Sequence, residues 1–525
     1  MTIQEKISGG KTRLGIEFGS TRIKATLIDD TFAPVAGGSH EWENRLENGY
    51  WTYSLEDIHN GLRSCYADLK KDVSEKYGVK LENIGAIGIS AMMHGYMAFD
   101  ESDSLLVPFR TWRNTTTEKA ASELTELLGF NIPQRWSIAH LYQAILNGEA
   151  HLPQIKSINT LAGYIHYLLT GKRVLGIGDA SGMFPINEGK YDEVMVGKFD
   201  KASASHGFSK GILDILPEIL SAGVNAGELN ENGAKFLDPD GDLRAGIPMC
   251  PPEGDAGTGM AATNAVLPGT GNVSAGTSAF SMLVLEKNLK GVYPEIDIVT
   301  TPDGAPVAMV HCNNCCSELD AWVRLFEEFA VLSGHETDRS ALYKLLYENT
   351  LKGEADCGGV TAYNYLSGEP VTGIESGRPM YFRAPDSKMN LANFFRSELY
   401  ASVAALKAGN DILFEKENVS AAQFTGHGGL FKVKGVAQQY LADALNTPVS
   451  VMQTAGEGGS WGMALLAAFM LDGKEKPLAE WLSDDVFAGM EKQTVQPDEN
   501  GVRGFEEYMK RYNAGLAAQK KLGDV

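Results

Sequence analysis

Positive charge is scarce in this sequence, and so are cysteines and long apolar runs. Lys and Arg number 46 against 67 Asp and Glu, a formal net charge of −21. A surface this acidic repels the backbone of DNA or RNA and an anionic bilayer, so neither nucleic acid nor membrane is expected as a partner. A bound polyphosphate would instead be held by local devices: backbone N–H groups, a metal ion and a few placed Lys or Arg side chains. Six cysteines in 525 residues do not make a disulfide framework. No stretch approaches the ~20 apolar residues of a membrane span. The polar start, residues 1–13, lacks the apolar core of a signal peptide. These absences point to a cytoplasmic protein. What is present is ordinary for a globular chain, with 43% hydrophobic and 22% charged residues. The length exceeds one ordinary core, so two large domains are expected.

His311, Cys312, Cys315 and Cys316 have some of the look of a metal site. A closed zinc site needs a second ligand pair, and Cys250 and Cys357 stand alone. The amphipathic run from Glu318 onward instead reads these as small residues packed at the start of a helix, and no metal is assigned to them. A redox or metal protein built on this cluster is the rival reading that metal analysis would test.

Along the chain, residues 12–27 read as strand, tight turn, strand, with Leu14, Ile16 and Phe18 alternating before Gly19-Ser20-Thr21. Residues 55–77, 117–128 and 160–169 carry helical spacing. Residues 84–90 read as a buried parallel strand. A second half begins near Ile247: strand and turn over 271–277, a returning strand over 278–285, and helices over 317–332 and 391–414. A strand then enters Gly426-His427-Gly428-Gly429 and a helix leaves it. Gly456-Glu457-Gly458-Gly459 leads into a core helix, and 504–522 reads as a last amphipathic one. The expected division is 1–246 and 247–525.

Gly19-Ser20-Thr21 and Gly276-Thr277-Ser278 sit at the tips of two hairpins about half the chain apart. Glycine lets backbone approach a phosphate, and consecutive N–H groups in a turn make an anion nest. Turn chemistry alone also produces such tips; their matched places in two halves suggest two similar α/β domains with a ligand cleft between them. Other nucleotide motifs fail. Gly10-Lys11-Thr12 lacks the earlier P-loop glycine, since Glu5 stands there, and it precedes a strand. Gly176, Gly178 and Gly182 miss the dinucleotide spacing.

The order of several motifs resembles the FGGY carbohydrate kinases. Residues 14–21 (Leu-Gly-Ile-Glu-Phe-Gly-Ser-Thr) with Lys24 resemble the family's first phosphate motif. Leu169-Thr170-Gly171 and Asp179-Ala180-Ser181 resemble the end of its first domain. Gly254-Asp255-Ala256-Gly257 resembles the segment bearing its catalytic aspartate, and residues 274–278 its second phosphate motif. Tyr365-Leu366-Ser367-Gly368-Glu369 resembles its Leu-Ser-Gly-Glu-Arg element, residues 426–429 its adenosine motif, and residues 457–462 its last glycine-rich turn. The resemblance implies an α/β fold of two duplicated ribonuclease-H-like (actin/hexokinase-type) domains with an interdomain cleft. It assigns sugar binding and the first phosphate motif to 1–246, and the catalytic Asp and ATP binding to 247–525. It also suggests a homodimer.

What the resemblance implies for the site is specific. Asp255 is the catalytic base, accepting the proton of the sugar's terminal hydroxyl. ATP is held by Gly19, Ser20, Thr21, Lys24, Gly276, Thr277, Ser278, Gly428 and Gly429, with Mg²⁺ near Glu17 and Asp255, through water. Ala91-Met92-Met93-His94-Gly95 follows the strand where xylulose kinases carry Gln-Met-His-Gly, so Met93 and His94 are the expected sugar contacts, with Trp112 and Asn114 as further walls. The expected reaction converts D-xylulose to D-xylulose 5-phosphate. Gluconate kinases carry a similar Ala-Met-His-Ser, and ribulose or another polyol stays open as substrate; glycerol kinases have an Arg-Glu pair that is absent here. A non-catalytic actin-like nucleotide switch would use the same hairpins. Departures from the family are Glu17 for Asp, Ala256 for the Asn of xylulose kinases, Pro370 for Arg, and Ser397-Glu398 for Glu-Gly.

Overall fold

The structure, a computed structural model, describes residues 1–335, 338–452, 458–473 and 475–523. The chain forms two compact units. The first comprises Met1–Val266, Ile298–Val307 and Glu457–Gly489; the second comprises Leu267–Asp297, Ala308–Gly456 and Met490–Val525. The boundary therefore shifts from residue 246 to beyond Val266. The reason is long-range pairing: strand Glu253–Gly254 lies parallel to Ala86–Ala91, and helix Asp255–Ala262 packs on helix Gly458–Asp472.

In the first unit the expected hairpin is strand Arg13–Phe18 antiparallel to Arg22–Ile28, with Phe18 opposite Ile23. Arg13–Phe18 also runs parallel to Ala86–Ala91, a strand buried at every position, as expected for a strand covered on both faces. Strand Pro34–Glu41 extends the sheet on the far side of Arg22–Ile28. Helix Leu55–Tyr77, ended by Gly78 in the left-handed region, packs on Pro34–Glu41. Helix Gly458–Asp472 is buried on all sides from Gly459 to Met470, because it lies against Arg13–Phe18 and Ala86–Ala91 as well as helix Asp255–Ala262. Glycines permit that approach. A Cβ on Gly15 would overlap the Ser460 carbonyl, and one on Gly462 the Thr258 carbonyl. Gly456 and Glu457 lie outside the described residues.

The second unit repeats the pattern. Strand Thr270–Ala275 is antiparallel to Ala279–Val284 and parallel to Gln423–His427, which pairs in turn with Val449–Met452. The expected helix after Gly429 is only a short turn, Gly429–Phe431; the helix proper, Val436–Leu445, starts after Gly435 at φ 84. Helix Leu391–Asp411 is almost wholly buried, and helix Glu499–Gly523 closes the chain. Among the described residues no helix is long and apolar enough to cross a membrane.

Candidate active site

Both hairpin tips are built so that their carbonyls face protein. At the first, the Gly19 N–H donates to the Arg22 carbonyl at 3.0 Å. Trp42 Nε1 donates to the Gly19 carbonyl at 2.7 Å, the Tyr53 hydroxyl to the Ser20 carbonyl at 2.6 Å, and the Trp42 N–H to the Thr21 carbonyl at 3.2 Å. Trp42 and Tyr53 stack with centroids 4.0 Å apart. In a trans peptide the N–H points opposite to the C=O. Tying these carbonyls inward turns the N–H groups of Ser20, Thr21 and Arg22 the other way, which is the arrangement of an anion nest. In the second unit Gly276 N–H closes its turn on the Ser278 carbonyl at 2.9 Å, and the Gly276 and Thr277 carbonyls accept from the Cys316 and Cys315 N–H groups, each at 3.0 Å. The Thr277 and Ser278 amides turn outward by the same argument. Gly428, at φ 103, passes so close to this strand that a Cβ would overlap the Ala275 carbonyl, whereas a Cβ on Gly429 would meet open space.

Glu17 stands opposite Lys24 in the first hairpin and at the start of helix Gly458–Asp472. Burial, and next the negative charge of Asp255, push its carboxyl up to about 7, against the pull of Lys24 and of the Ser460 N–H. Asp255 opens the helix Asp255–Ala262, and its Oδ1 accepts from the Met93 N–H at 3.1 Å. Asp255 is exposed to solvent yet crowded by protein on its other sides, and that crowding pushes its carboxyl up to about 6, opposed by the Met93 N–H and by the Arg135 charge. His94 is buried, at φ 69, a region few residues other than glycine occupy. Its ring is held by a 3.2 Å contact of Nδ1 with the Gly182 carbonyl and by stacking on Trp136. Backbone held this way is a common feature of ligand sites.

The first unit thus brings together Glu17, Lys24, Met93, His94 and Asp255. Asn114 is placed differently: its amide bridges the Trp51 N–H and carbonyl, each at 2.8 Å, and the Thr111 carbonyl at 2.9 Å. Trp112 is half-buried against the core. Sequence reasoning assigned no role to Asp179 or Glu253, both buried. Glu253 accepts from the Gly254 N–H at 3.1 Å and from the Gly178 and Asp179 N–H groups, so it ties the Asp255 segment to the short helix Ile177–Ala180. Burial, and next the Asp179 charge, push it up to about 8. Asp179 Oδ2 accepts from Thr160 Oγ1 at 2.6 Å, and burial pushes this carboxyl up to about 7. The Asp-Ala-Ser motif was the one signal for Asp179; nothing local distinguished Glu253 from a surface glutamate.

In the second unit the Leu-Ser-Gly-Glu element acts on the Gly276-Thr277-Ser278 hairpin indirectly. Asn314 Oδ1 accepts from the Leu366 and Ser367 N–H groups at 2.9 and 3.0 Å, and Asn314 Nδ2 donates to Glu369 Oε2 at 3.1 Å. This clamp fixes residues 312–316, whose backbone holds Gly276 and Thr277. Pro370 begins the short turn Pro370–Thr372, and Glu398 is a buried carboxyl pushed well up by burial and next by Glu318. Among the described residues no group of three or more His, Cys, Asp and Glu is arranged to hold a metal ion. Mg²⁺ makes no such demand, since it takes one or two carboxylates plus water and phosphate oxygens, and the mutually repelling Glu17 and Asp255 fit that role.

Comparison with known proteins gives the same pattern. A xylulose kinase of Haemophilus influenzae is 23% identical over 527 residues, covering 96% of this chain and 99% of that protein. The solved xylulose kinase of Lactobacillus acidophilus superposes with a TM-score of 0.78 at 17% identity, over 97% of this chain and 99% of that one. A gluconate kinase of Lactobacillus acidophilus superposes with a TM-score of 0.76 at 17% identity, over 97% and 99%. These likenesses establish the two-domain, actin/hexokinase-like ribonuclease-H fold. The N-terminal domain of the FGGY carbohydrate kinases matches residues 12–256 and the C-terminal domain residues 271–471. The chain belongs to the FGGY family of carbohydrate kinases.

Proposed function

We propose that this kinase transfers the γ-phosphoryl group of ATP to the terminal hydroxyl of a ketopentose, converting D-xylulose to D-xylulose 5-phosphate. The observation that carries the reading is the hydrogen bond from Met93 N–H to Asp255 Oδ1, 3.1 Å long. It joins the segment expected to recognise the sugar to the carboxylate expected to activate it. Asp255 takes the proton of the attacking hydroxyl, which requires a position within hydrogen-bond reach of that oxygen. Met93 and His94 contact the sugar, Trp112 walls it, and Asn114 holds the Trp51–Thr111 frame from which Trp112 projects. The nests at Gly19-Ser20-Thr21 and Gly276-Thr277-Ser278, with Lys24, take phosphate oxygens, and Gly428-Gly429 admits the adenosine. Glu17 and Asp255 would hold Mg²⁺ through water. The ion, when bound, neutralises charge on the transferring phosphoryl group.

The named relatives support a xylulose substrate. Gluconate is the second reading: the Arg135 charge reaches Asp255, and a cation there suits a sugar acid. The test is ADP release with Mg·ATP against ketopentoses, polyols and sugar acids. Stimulation by D-xylulose above the rest is expected. Stimulation by gluconate alone would replace the substrate, and ATP binding without stimulation by any sugar would replace the reaction.

A further inference from the structure

Cys315 and Cys316 take no part in the chemistry proposed above, yet their backbone carries the second phosphate hairpin. Their sulfurs lie 3.6 Å apart. Cys315 is buried while Cys316 is partly exposed, and neither is in a disulfide. We infer that this pair is a vicinal dithiol, a modification site for small disulfides of the glutathione class, and that its oxidation loosens the Gly276-Thr277-Ser278 nest.

The chemistry is ordinary thiol–disulfide exchange. The accessible Cys316 thiolate attacks one sulfur of the small disulfide, forms a mixed disulfide and expels the first small thiol. Cys315 then attacks the Cys316 sulfur, the Cys315–Cys316 bond forms, and the second small thiol leaves. The dithiol loses two electrons and two protons, and the small disulfide gains them.

The geometry explains the consequence. A disulfide bond is about 2.05 Å long, so the sulfurs must close by more than an ångström. The ring so formed contains the peptide bond between Cys315 and Cys316, and that peptide must rotate. Its N–H is the one that holds the Gly276 carbonyl at 3.0 Å. Its carbonyl accepts from Asn364 Nδ2 at 2.9 Å and from Ser402 Oγ at 3.3 Å. The neighbouring Cys315 N–H holds the Thr277 carbonyl at 3.0 Å. Rotation cannot keep these bonds, so the carbonyls that turn the hairpin amides outward lose their anchors. Two Cα atoms only ~3.8 Å apart are also closer than a relaxed disulfide prefers, and strained disulfides are readily reduced again. The modification is therefore reversible.

The effect on turnover rests on the kinase reading; the disulfide and the loosening do not. The full chain is incubated with excess oxidised glutathione, and peptide mapping and hydrogen exchange are read before and after reduction by dithiothreitol. The expected results are a Cys315–Cys316 disulfide, faster exchange over residues 270–284, and a KM for Mg·ATP raised roughly tenfold or more, all reversed by reductant. Cys316→Ser should show the same KM before and after the oxidant, and Cys315→Ser should stop at a glutathione mixed disulfide on Cys316, without the faster exchange over residues 270–284. Failure of the wild-type pair to form a disulfide, or a disulfide with unchanged exchange at the hairpin, overturns the inference. A disulfide with faster exchange but an unchanged KM overturns its link to nucleotide binding. A reduced protein that phosphorylates no sugar counts against the kinase substrate instead, and mapping and exchange still decide the modification.

Discussion

Asp255 is raised by crowding and lowered by the Met93 N–H and Arg135, and the balance leaves its carboxyl at about 6. As the proposed base, Asp255 must be unprotonated to act. Falling pH therefore removes activity, and kcat/KM should drop about tenfold per pH unit below about 6. Asp255→Asn keeps the shape but not the basicity; a loss in kcat of roughly 10²–10⁴ is expected, with thermal stability and ATP binding retained. Near-normal turnover by this variant would remove Asp255 from the mechanism. The segment carrying Asp255 was legible as a family motif because it stood in the right order among others. Glu253 was not, because a buried acid and a solvated acid are the same letter, and only the N–H groups of Gly178 and Asp179 reveal which this is.

At the scale of elements, the strands and their hairpins were legible because alternation of apolar residues has one structural solution at a sheet core. Helix Gly458–Asp472 was legible for a different reason: residues apolar on every side need burial on every side. The turn after Gly428 was not, because Gly435 in the left-handed region delays the helix to Val436, and a glycine's torsion is set by its neighbours in space. The glycines against this central helix give a direct test. A Cβ on Gly459 would overlap Glu17 Oε1 and come within 2.8 Å of Thr258 Oγ1. Gly459→Ala should cost about 1–3 kcal/mol of stability by overpacking, read as a lowered denaturant midpoint, and should impair turnover through Glu17. An unchanged midpoint would mean that the helix sits further from the strand. Asn314→Ala, which leaves the Leu366 and Ser367 N–H groups without their partner and removes the side-chain donor to Glu369, should cost about 1–3 kcal/mol as well. It should also raise the KM for ATP, since the clamp serves the second nest.

For the whole molecule, the buried acids set how stability varies with pH. Burial holds Glu17 and Asp179 at about 7 and Glu253 at about 8 in the folded chain, above the 4.5 and 3.8 expected of Glu and Asp. The folded state thus binds more protons than the unfolded state between those limits. The stability this contributes is fully present below the unfolded values and is lost as pH rises through the folded ones. The melting temperature should therefore fall from pH 6 to pH 9. Glu253→Gln, which mimics the protonated acid, should fall less over the same range; an equal fall would exclude Glu253 as a source of the slope. The boundary beyond Val266 also belongs to this scale. No local pattern announces that Glu253–Gly254 returns to pair with Ala86–Ala91, whereas the duplicated hairpins did announce two similar units.

The most direct measurement is product analysis of the wild-type chain and Asp255→Asn, each incubated with Mg·ATP and D-xylulose and read by phosphorus NMR. The expected result is D-xylulose phosphorylated on its terminal hydroxyl with one ADP per phosphoryl group transferred, and little product from the variant. Inorganic phosphate as the sole product, or equal sugar phosphate from both proteins, would contradict it.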